Sequence, residues 1–240
     1  MNLDRLLPPV VTALVVAKWA ASLWLERLNR RNVLAHANTV PESFKGVMDE
    51  ETYAKAVQYT LANARLSRFE TTYDSVVLLV VLFSGVLPWS FGLFTRWLGT
   101  SAWAMAAYLC GVGVALSLPS LPLQWYDQFR LEARFGFNTT TQALWWLDRL
   151  KGLLLGLALG YPLLVLVLKL VEWMGNSWWL WGWGALLVFQ LLMLVLAPVL
   201  IMPLFNKFTP LPEGTLRERL LNLAERTHFR ARSIQVMDGS

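Results

Sequence analysis

The sequence predicts an all-α fold, a polytopic transmembrane helical bundle of five spans followed by a truncated cytoplasmic α/β tail. The chain of 240 residues is 56% hydrophobic and only 15% charged, whereas about a quarter of the residues of a soluble domain are charged. The apolar residues fall into five runs, each near the roughly 20 helical residues that cross a hydrocarbon core of ~30 Å. One such run is compatible with a buried core helix, but five in one chain indicate a membrane protein.

The predicted spans occupy residues 6–28, 75–97, 102–123, 150–173 and 178–205. The first is interpreted as a retained span, because Lys18 lies in its middle and no small-residue cleavage pattern precedes Glu26. An ionisable group such as Lys18 is expected to face the bundle interior or an aqueous cavity, or to snorkel. Pro88 is expected to kink the second span.

Two long polar loops are predicted between the spans. Residues 29–73 are expected to carry one or two surface helices within 41–63, and residues 124–150 form a polar loop rich in aromatic side chains. In the second loop, Asn138 or Thr139 is a candidate N-cap for the helix that follows.

The basic residues of the connecting segments set the expected orientation. Their density alternates from rich to poor along the chain and is high again in the tail, which predicts an outside N-terminus and a cytoplasmic tail. The net charge of +5 is therefore interpreted as contact with anionic lipid, not with nucleic acid. An aromatic belt at headgroup level is predicted at the turn between spans four and five from Trp173, Trp178, Trp179, Trp181 and Trp183. The sequence leaves open a bacterial inner membrane or the endoplasmic reticulum.

The tail after span five looks like the beginning of a soluble domain. Thr215 and Glu218 fit a capping box before an amphipathic helix that ends near Thr227 or His228, and Ser233–Met237 has the alternation of a short strand. One helix and one strand bury too little surface to be stable alone. They either dock on the membrane region or belong to a domain whose remainder is missing, and the second interpretation is favoured.

No catalytic signature is present in the sequence. The histidines are His36 and His228, no H-E-x-x-H occurs, and Cys110 is a single thiol. Nucleophile-elbow, P-loop and dinucleotide-binding motifs are also missing from the sequence. Residues 126–141 and 203–214 are the segments densest in polar and aromatic groups, and from physics alone they are a charged loop and a stiff linker.

Several separated motifs nevertheless resemble one known family. They are Val40-Pro-Glu-Ser-Phe44, Tyr53-Ala-Lys-Ala56, Tyr59-Thr60, Phe135-Gly-Phe-Asn-Thr-Thr-Thr141, Pro203-Leu-Phe-Asn-Lys-Phe208 with Pro210-Leu211 and Gly214, and Val236-Met-Asp-Gly-Ser240. In this order they resemble the CAAX prenyl protease 1 family of integral-membrane zinc metallopeptidases.

The resemblance implies a helical membrane barrel around a water-filled chamber, with cleavage near the C-terminus of prenylated or membrane-associated peptides. It implies a zinc site in which H-E-x-x-H gives two ligands and the general base, and a downstream Glu completes the set. This chain does not contain that motif. We therefore expect residues 1–208 to be the membrane-embedded domain and residues 209–240 the incomplete start of the peptidase domain. We expect the chain alone to bind no zinc and to be inactive, its partners being the bilayer, the peptide substrate of the complete enzyme and a missing C-terminal catalytic half.

No catalytic or metal-binding residue carries over from the resemblance. What carries over is scaffold, with candidate chamber or scaffold residues Lys18, Phe135, Asn138, Thr139, Asn206 and Lys207. The alternative is a non-enzymatic membrane scaffold or a transporter-like protein, although the inverted repeats and broken midplane helices of transporters are not evident. A split enzyme is a third hypothesis, and an adjacent reading frame with H-E-x-x-H would favour it.

Overall fold

The computed structural model describes residues 3–42, 46, 48–229 and 233–237. The chain divides into two compact units, Met1–Thr139 and Thr140–Ser240. Parts of two motifs, residues 43–44 of Val40–Phe44 and residues 238–240 of the closing segment, lie outside the described residues.

Helices form the first unit. In chain order they are α1 (Leu3–Ala35), α2 (Glu50–Phe83), α3 (Val86–Leu98), α4 (Ala102–Ser117), a 3-10 turn (Leu118–Ser120), α5 (Leu121–Tyr126), a π-helical turn (Asp127–Glu132) and α6 (Ala133–Phe135).

The first polar loop was predicted too long. Helix α1 continues past residue 28 to Ala35, and the predicted surface helix and the start of span two are one 34-residue helix, α2. Between Glu50 and Phe83 there is no Gly or Pro to interrupt it. Asp49 is its N-cap and accepts from the Thr52 N–H. The hydrogen bonds from the Thr52 hydroxyl and then from its N–H lower the pKa of the Asp49 carboxyl.

The second span bends at a glycine and not at the proline. Helices α2 and α3 meet at 55° across Ser84 and Gly85, and Gly85 has a φ of 77°. Pro88 lies in the first turn of α3, where its missing N–H breaks no helical hydrogen bond. The expected kink at Pro88 is therefore wrong, because a left-handed residue that favours glycine already turns the chain three residues earlier.

The third apolar segment also extends beyond its prediction. Helical structure continues from Ala102 to Phe135, so that much of the predicted loop over 124–150 is helical. The charged segment from Asp127 to Arg134 was predicted to be a loop, but it is helical throughout. The helix ends at Gly136, which has a φ of 78°.

The second unit begins with a helical hairpin. Helix α7 (Gln142–Met174) leads through a 3-10 turn (Gly175–Ser177) to α8 (Trp178–Leu196), and the two helices pack against each other. Thr141 is the N-cap of α7, with its hydroxyl accepting from the Leu144 N–H. The predicted caps Asn138 and Thr139 are wrong, because Thr141 is the extended residue directly before the first helical turn.

Helical structure ends at Phe205, the residue predicted to end span five. After α8 come a π-helical turn (Ala197–Ile201), α9 (Met202–Phe205), strand β1 (Phe208–Pro210), helix α10 (Thr215–Arg226) and strand β2 (Gln235–Met237).

The tail contains a strand pair that the sequence prediction did not include. Strand β1 pairs antiparallel with β2, and Thr209 lies opposite Val236. The predicted capping box is wrong, because Gly214 holds the N-cap position and Thr215 is already helical.

Three helical stretches are long and apolar enough to cross a membrane: Leu6–Ala35, Ala102–Phe135 and Gln142–Phe205. A fourth is added if α2 and α3 are one bent span. The last stretch has 64 residues, which would measure about 96 Å if straight, but the turn at Gly175–Ser177 folds it into a hairpin. If this hairpin crosses the membrane twice, the total number of crossings is five. The helix lengths are thus compatible with five spans, and the exact count stays a prediction.

Candidate functional site

An aromatic cluster in the first unit surrounds one of the motifs. The ring of Tyr59 meets Phe135 edge to face with 5.3 Å between centroids, and Phe137 likewise at 4.9 Å. Phe135 is buried, with 6% of its surface exposed. We call Tyr59, Phe135 and Phe137 the aromatic cluster, and it joins the first third of α2 to the end of α6.

Gly136 produces the turn that places both phenylalanines on Tyr59. Its left-handed conformation allows the Gly136 N–H to donate to the Ala133 carbonyl at 3.2 Å and the Phe137 N–H to donate to the Glu132 carbonyl at 3.0 Å. The Lys55 ammonium lies 5.9 Å from the centre of the Phe137 ring, within cation–π range. The motif is therefore a helix-ending turn fixed by aromatic packing.

Asn138 belongs to the same turn. The Gln128 side-chain amide donates to the Asn138 side-chain oxygen at 2.9 Å, which connects the turn back to the π-helical segment. Thr139 follows it and is exposed. The structure thus brings Phe135 and Asn138 together, with Thr139 as their exposed neighbour.

Two buried acceptors lie on the helix that leads into this turn. The side-chain oxygens Oε1 of Gln124 and Oδ1 of Asp127 are shielded from solvent and accept no hydrogen bond from the described part of the chain. Asp127 opens the π-helical turn, a distortion often found at functional sites. Each of these oxygens can accept a hydrogen bond from a water or from a polar group of a ligand.

Polar contacts also join α1 to α2. The Trp19 indole N–H donates to the Thr72 hydroxyl at 3.1 Å. Glu26 and Arg68 form an ion pair with 2.9 Å between carboxylate oxygen and guanidinium Nε. Neither of these two atoms makes a hydrogen bond with the described residues. The two side chains are therefore attracted by their opposite charges, but their geometry is not that of a hydrogen bond. Lys18 is exposed and lies outside these contacts.

The other candidate residues line a cleft in the second unit. We call it the exit cleft; it has a volume of about 660 Å³ and is lined by Pro198, Val199, Pro203, Asn206, Lys207, Phe208, Thr209 and Gln235. The Asn206 N–H donates to the Met202 carbonyl at 3.0 Å and so ends the helix. Lys207 is exposed at the rim.

Lys151 of α7 stabilises the end of α9 beside the exit cleft. Its ammonium donates to the Leu204 carbonyl at 3.0 Å and to the Asp148 carboxylate at 3.1 Å, and lies 5.8 Å from the centre of the Phe205 ring. Sequence reasoning missed Lys151 and Tyr59 as partners of the motifs. No sequence pattern around Lys151 indicated its contact with α9, whereas Tyr59 lies in one of the segments that resemble the family.

The histidines and carboxylates that the structure describes do not form a zinc site. Among the residues that the structure describes, no three His, Cys, Asp or Glu side chains converge in a way that could hold a metal ion. His36 and His228 belong to different units, and the His36 Nδ1–H donates to the Asn32 carbonyl at 2.9 Å. These residues do not match the ligand set expected of a catalytic zinc.

The long apolar helices and the many large apolar side chains on their surfaces, among them Leu194 at 74% exposed, define an integral multi-pass membrane protein. Residues 29–207 match the family described as the CAAX prenyl protease N-terminal region with five membrane helices. The chain belongs to this family, as its motifs predicted.

Proteins from distant organisms show the same similarity. The chain is 35% identical over 219 residues to CAAX prenyl protease 1 of Saccharomyces cerevisiae, a match that covers 84% of this chain and 47% of the relative. It is 34% identical over 213 residues to the Oryza sativa homolog, covering 84% and 49%. The human homolog is 27% identical over 237 residues, covering 95% and 50%. The chain spans about half the length of the curated relatives it matches.

The fold agrees with a solved structure of this family. The crystal structure of S. mikatae Ste24p superposes with a TM-score of 0.87 at 30% sequence identity, over 97% of this chain and 55% of that chain.

Proposed function

We propose that this chain is the N-terminal membrane region of a zinc metalloendopeptidase of the CAAX type, which cleaves near the C-terminus of prenylated or membrane-associated peptides in a membrane-enclosed chamber. The observation that carries this proposal is the similarity to Ste24p over 97% of the chain at a TM-score of 0.87. The family match over residues 29–207 supports it independently.

In this proposal the chain supplies scaffold and not bond-breaking chemistry. Phe135 and Asn138 hold the turn after α6, since one is buried against Tyr59 and the other is hydrogen-bonded to Gln128. The exposed polar side chains of Lys18 and Thr139 are the candidates for lining a wet chamber, whereas Asn206 and the exposed Lys207 are scaffold residues at the end of span five. Polar groups at membrane depth are tolerated where they face water or other protein.

The zinc and its ligands belong to a catalytic half outside these 240 residues. Residues 1–208 are the membrane domain and residues 209–240 lead into the peptidase domain. The pairing of β1 with β2 supports this division, because it returns the chain to the end of span five. A two-stranded ribbon is marginally stable alone, so it is suited to be the first part of a larger sheet.

The proposed orientation has the N-terminus outside and the tail in the cytoplasm, in a bacterial inner membrane or the endoplasmic reticulum. The basic side chains of Arg149, Lys151 and Lys207 near one end of the second unit support it, as does the tryptophan-rich turn at the other end. All five tryptophans predicted for the aromatic belt, Trp173, Trp178, Trp179, Trp181 and Trp183, are exposed.

The proposal is tested with the purified 240-residue chain in detergent. Zinc is measured by mass spectrometry of the dialysed protein, and cleavage is measured with a farnesylated peptide that ends in a CAAX sequence. We expect zinc far below one per chain and no cleavage above a buffer control. Tightly bound zinc at one per chain, or cleavage by the chain alone, would overturn the proposed division of labour.

One observation favours the alternative, a non-enzymatic scaffold or transporter-like protein. The break between α2 and α3 at Gly85 resembles the interrupted helices at which transporters bind their substrates. Transporters carry such breaks in corresponding positions of two repeats, so a second matching break is the feature to look for. Uptake of a solute into proteoliposomes that contain only this chain would favour the alternative.

A further inference from the structure

We infer that the exit cleft is a binding site for the phosphate headgroup of an anionic phospholipid, with Lys207 as its cationic contact. The inference concerns how this region interacts with the bilayer, and it does not depend on peptidase activity. It starts from the position of Lys207 at the end of span five.

The exit cleft lies at the level where a helix leaves the hydrocarbon. From Trp183 to Phe205 the chain advances 22 residues, which corresponds to about 33 Å of helix and to a hydrocarbon thickness of ~30 Å. Trp183 belongs to the aromatic belt at one end. Asn206 and Lys207 therefore lie at the opposite headgroup region.

The lining of the cleft has the two chemistries of a phospholipid. Pro198, Val199 and Pro203 give an apolar side suited to the first carbons of an acyl chain, and Val199 is 65% exposed. The other side carries hydrogen-bond donors suited to a phosphate: the Lys207 ammonium and one N–H of the Asn206 amide. The second Asn206 amide N–H donates to the Met202 carbonyl at 3.4 Å, and the Thr209 hydroxyl donates to the Val236 carbonyl at 3.5 Å. A soluble anion would use only the second side.

The charge balance favours an anion. Lys207 is exposed and makes no hydrogen bond or ion pair with any residue in the described part of the chain. Nearby, Lys151 is already paired with Asp148 and with the Leu204 carbonyl. The positive charge of Lys207 is therefore not offset by these neighbours, and anionic lipid is the abundant counter-ion at this level of a membrane.

The π-helical turn explains why the cleft is there. The chain between α8 and α9 is not a regular α-helix, because Ala197–Ile201 is π-helical. Pro198 lies near the start of this turn, and Pro203 lies shortly after its end. Strand β1 then leaves the helix beside this irregular turn, and Gln235 of the paired strand closes the far wall. The cleft is thus part of the folded backbone.

The test uses native mass spectrometry of the full 240-residue chain released from detergent. The protein is titrated with phosphatidylglycerol, with phosphatidylcholine of the same chain length, and with inorganic phosphate. The variants are Lys207→Ala, Lys207→Arg and, as a matched control, Arg219→Ala, which removes one positive charge from an exposed position of α10 outside the cleft.

We expect one phosphatidylglycerol to bind in preference to phosphatidylcholine. Lys207→Ala should weaken that binding by about five-fold or more, because one basic residue contributes about that factor to binding at an anionic membrane surface. Lys207→Arg should retain it, and Arg219→Ala should match the unmodified chain. Equal binding by the Lys207→Ala and Arg219→Ala variants would overturn the inference, provided that circular dichroism shows the same helix content. Equal occupancy by inorganic phosphate would overturn the lipid as occupant and indicate a site for free anions.

Discussion

The rings of Tyr59 and Phe135 meet edge to face, with 5.3 Å between their centroids and 73° between their planes. The two residues are far apart in sequence, one in the first third of α2 and the other at the end of α6. Their contact joins two of the segments that resembled the family and buries Phe135 almost completely. It gives the motif around Gly136 a structural role that spacing alone did not show.

Phe135→Ala is expected to destabilise the first unit. Truncation of a buried phenylalanine costs about 3 kcal/mol, because it removes ring contacts and leaves a cavity. The measurement is thermal unfolding in detergent followed by circular dichroism. Phe83→Ala is the control, since Phe83 is 50% exposed in the same unit, and it should change stability by less than about 0.5 kcal/mol. Equal losses in the two variants would contradict the assigned packing of the aromatic cluster.

The ion pair between Glu26 and Arg68 is expected to contribute more than an exposed one. The exposed fractions of the Arg68 and Glu26 side chains are 34% and 18%, so solvent screens their attraction only in part. A double-mutant cycle with Glu26→Gln and Arg68→Gln should give a coupling free energy of about 1–2 kcal/mol.

The matched control cycle uses Lys169 and Glu172, a pair three residues apart on α7 with side-chain exposures of 28% and 46%. Its coupling should be below about 0.5 kcal/mol, as for pairs on one helix surface. If the control cycle gave the larger value, burial of the pair between α1 and α2 would not be the source of its strength.

The register of the tail is tested by cross-linking. In a Cys110→Ala background, Thr209→Cys with Val236→Cys should form a disulfide under mild oxidation, because these positions face each other across the antiparallel pair. Thr209→Cys with Gln235→Cys is the off-register control, whose side chains point to opposite faces. Mobility on a non-reducing gel reports the outcome, and preferential cross-linking of the control pair would show a one-residue shift in the strands.

Five membrane crossings are tested with single cysteines and a membrane-impermeant thiol reagent. In the same Cys110→Ala background, cysteines replace the exposed residues Thr39, Thr100, Thr139 and Asn176. We expect positions 39 and 139 to be labelled from one side and positions 100 and 176 from the other, because the hairpin of α7 and α8 crosses twice. Labelling of positions 139 and 176 from the same side would contradict five spans.

The sequence predicted the apolar segments well and their boundaries less well. Span five ends at Phe205 in both prediction and structure, because Pro203 and the polar Asn206 leave few alternatives. The segments 64–73 and 124–135 were predicted as loops because they carry charges, yet both are helical. Without Gly or Pro to interrupt them, these polar stretches continue the helices on either side.

Local sequence patterns did not predict contacts between residues that are distant in sequence. Strand β1 was predicted as a linker, because its partner β2 follows only after helix α10 and no local alternation marks Phe208–Pro210. The packing of Phe135 on Tyr59 and the contact of Lys151 with the Leu204 carbonyl likewise depend on which helices meet. The candidate residues were therefore found by motif, and their contacts only by structure.

The central claim is that this chain builds the membrane region of a CAAX-type peptidase. The most direct test is a chimera in which this chain replaces the matching N-terminal half of the Saccharomyces cerevisiae relative, which is 35% identical. We predict that the purified chimera cleaves a farnesylated CAAX peptide and that cleavage disappears when the metal is chelated. A chimera that is monodisperse and binds one zinc, but leaves the peptide intact, would contradict the claim.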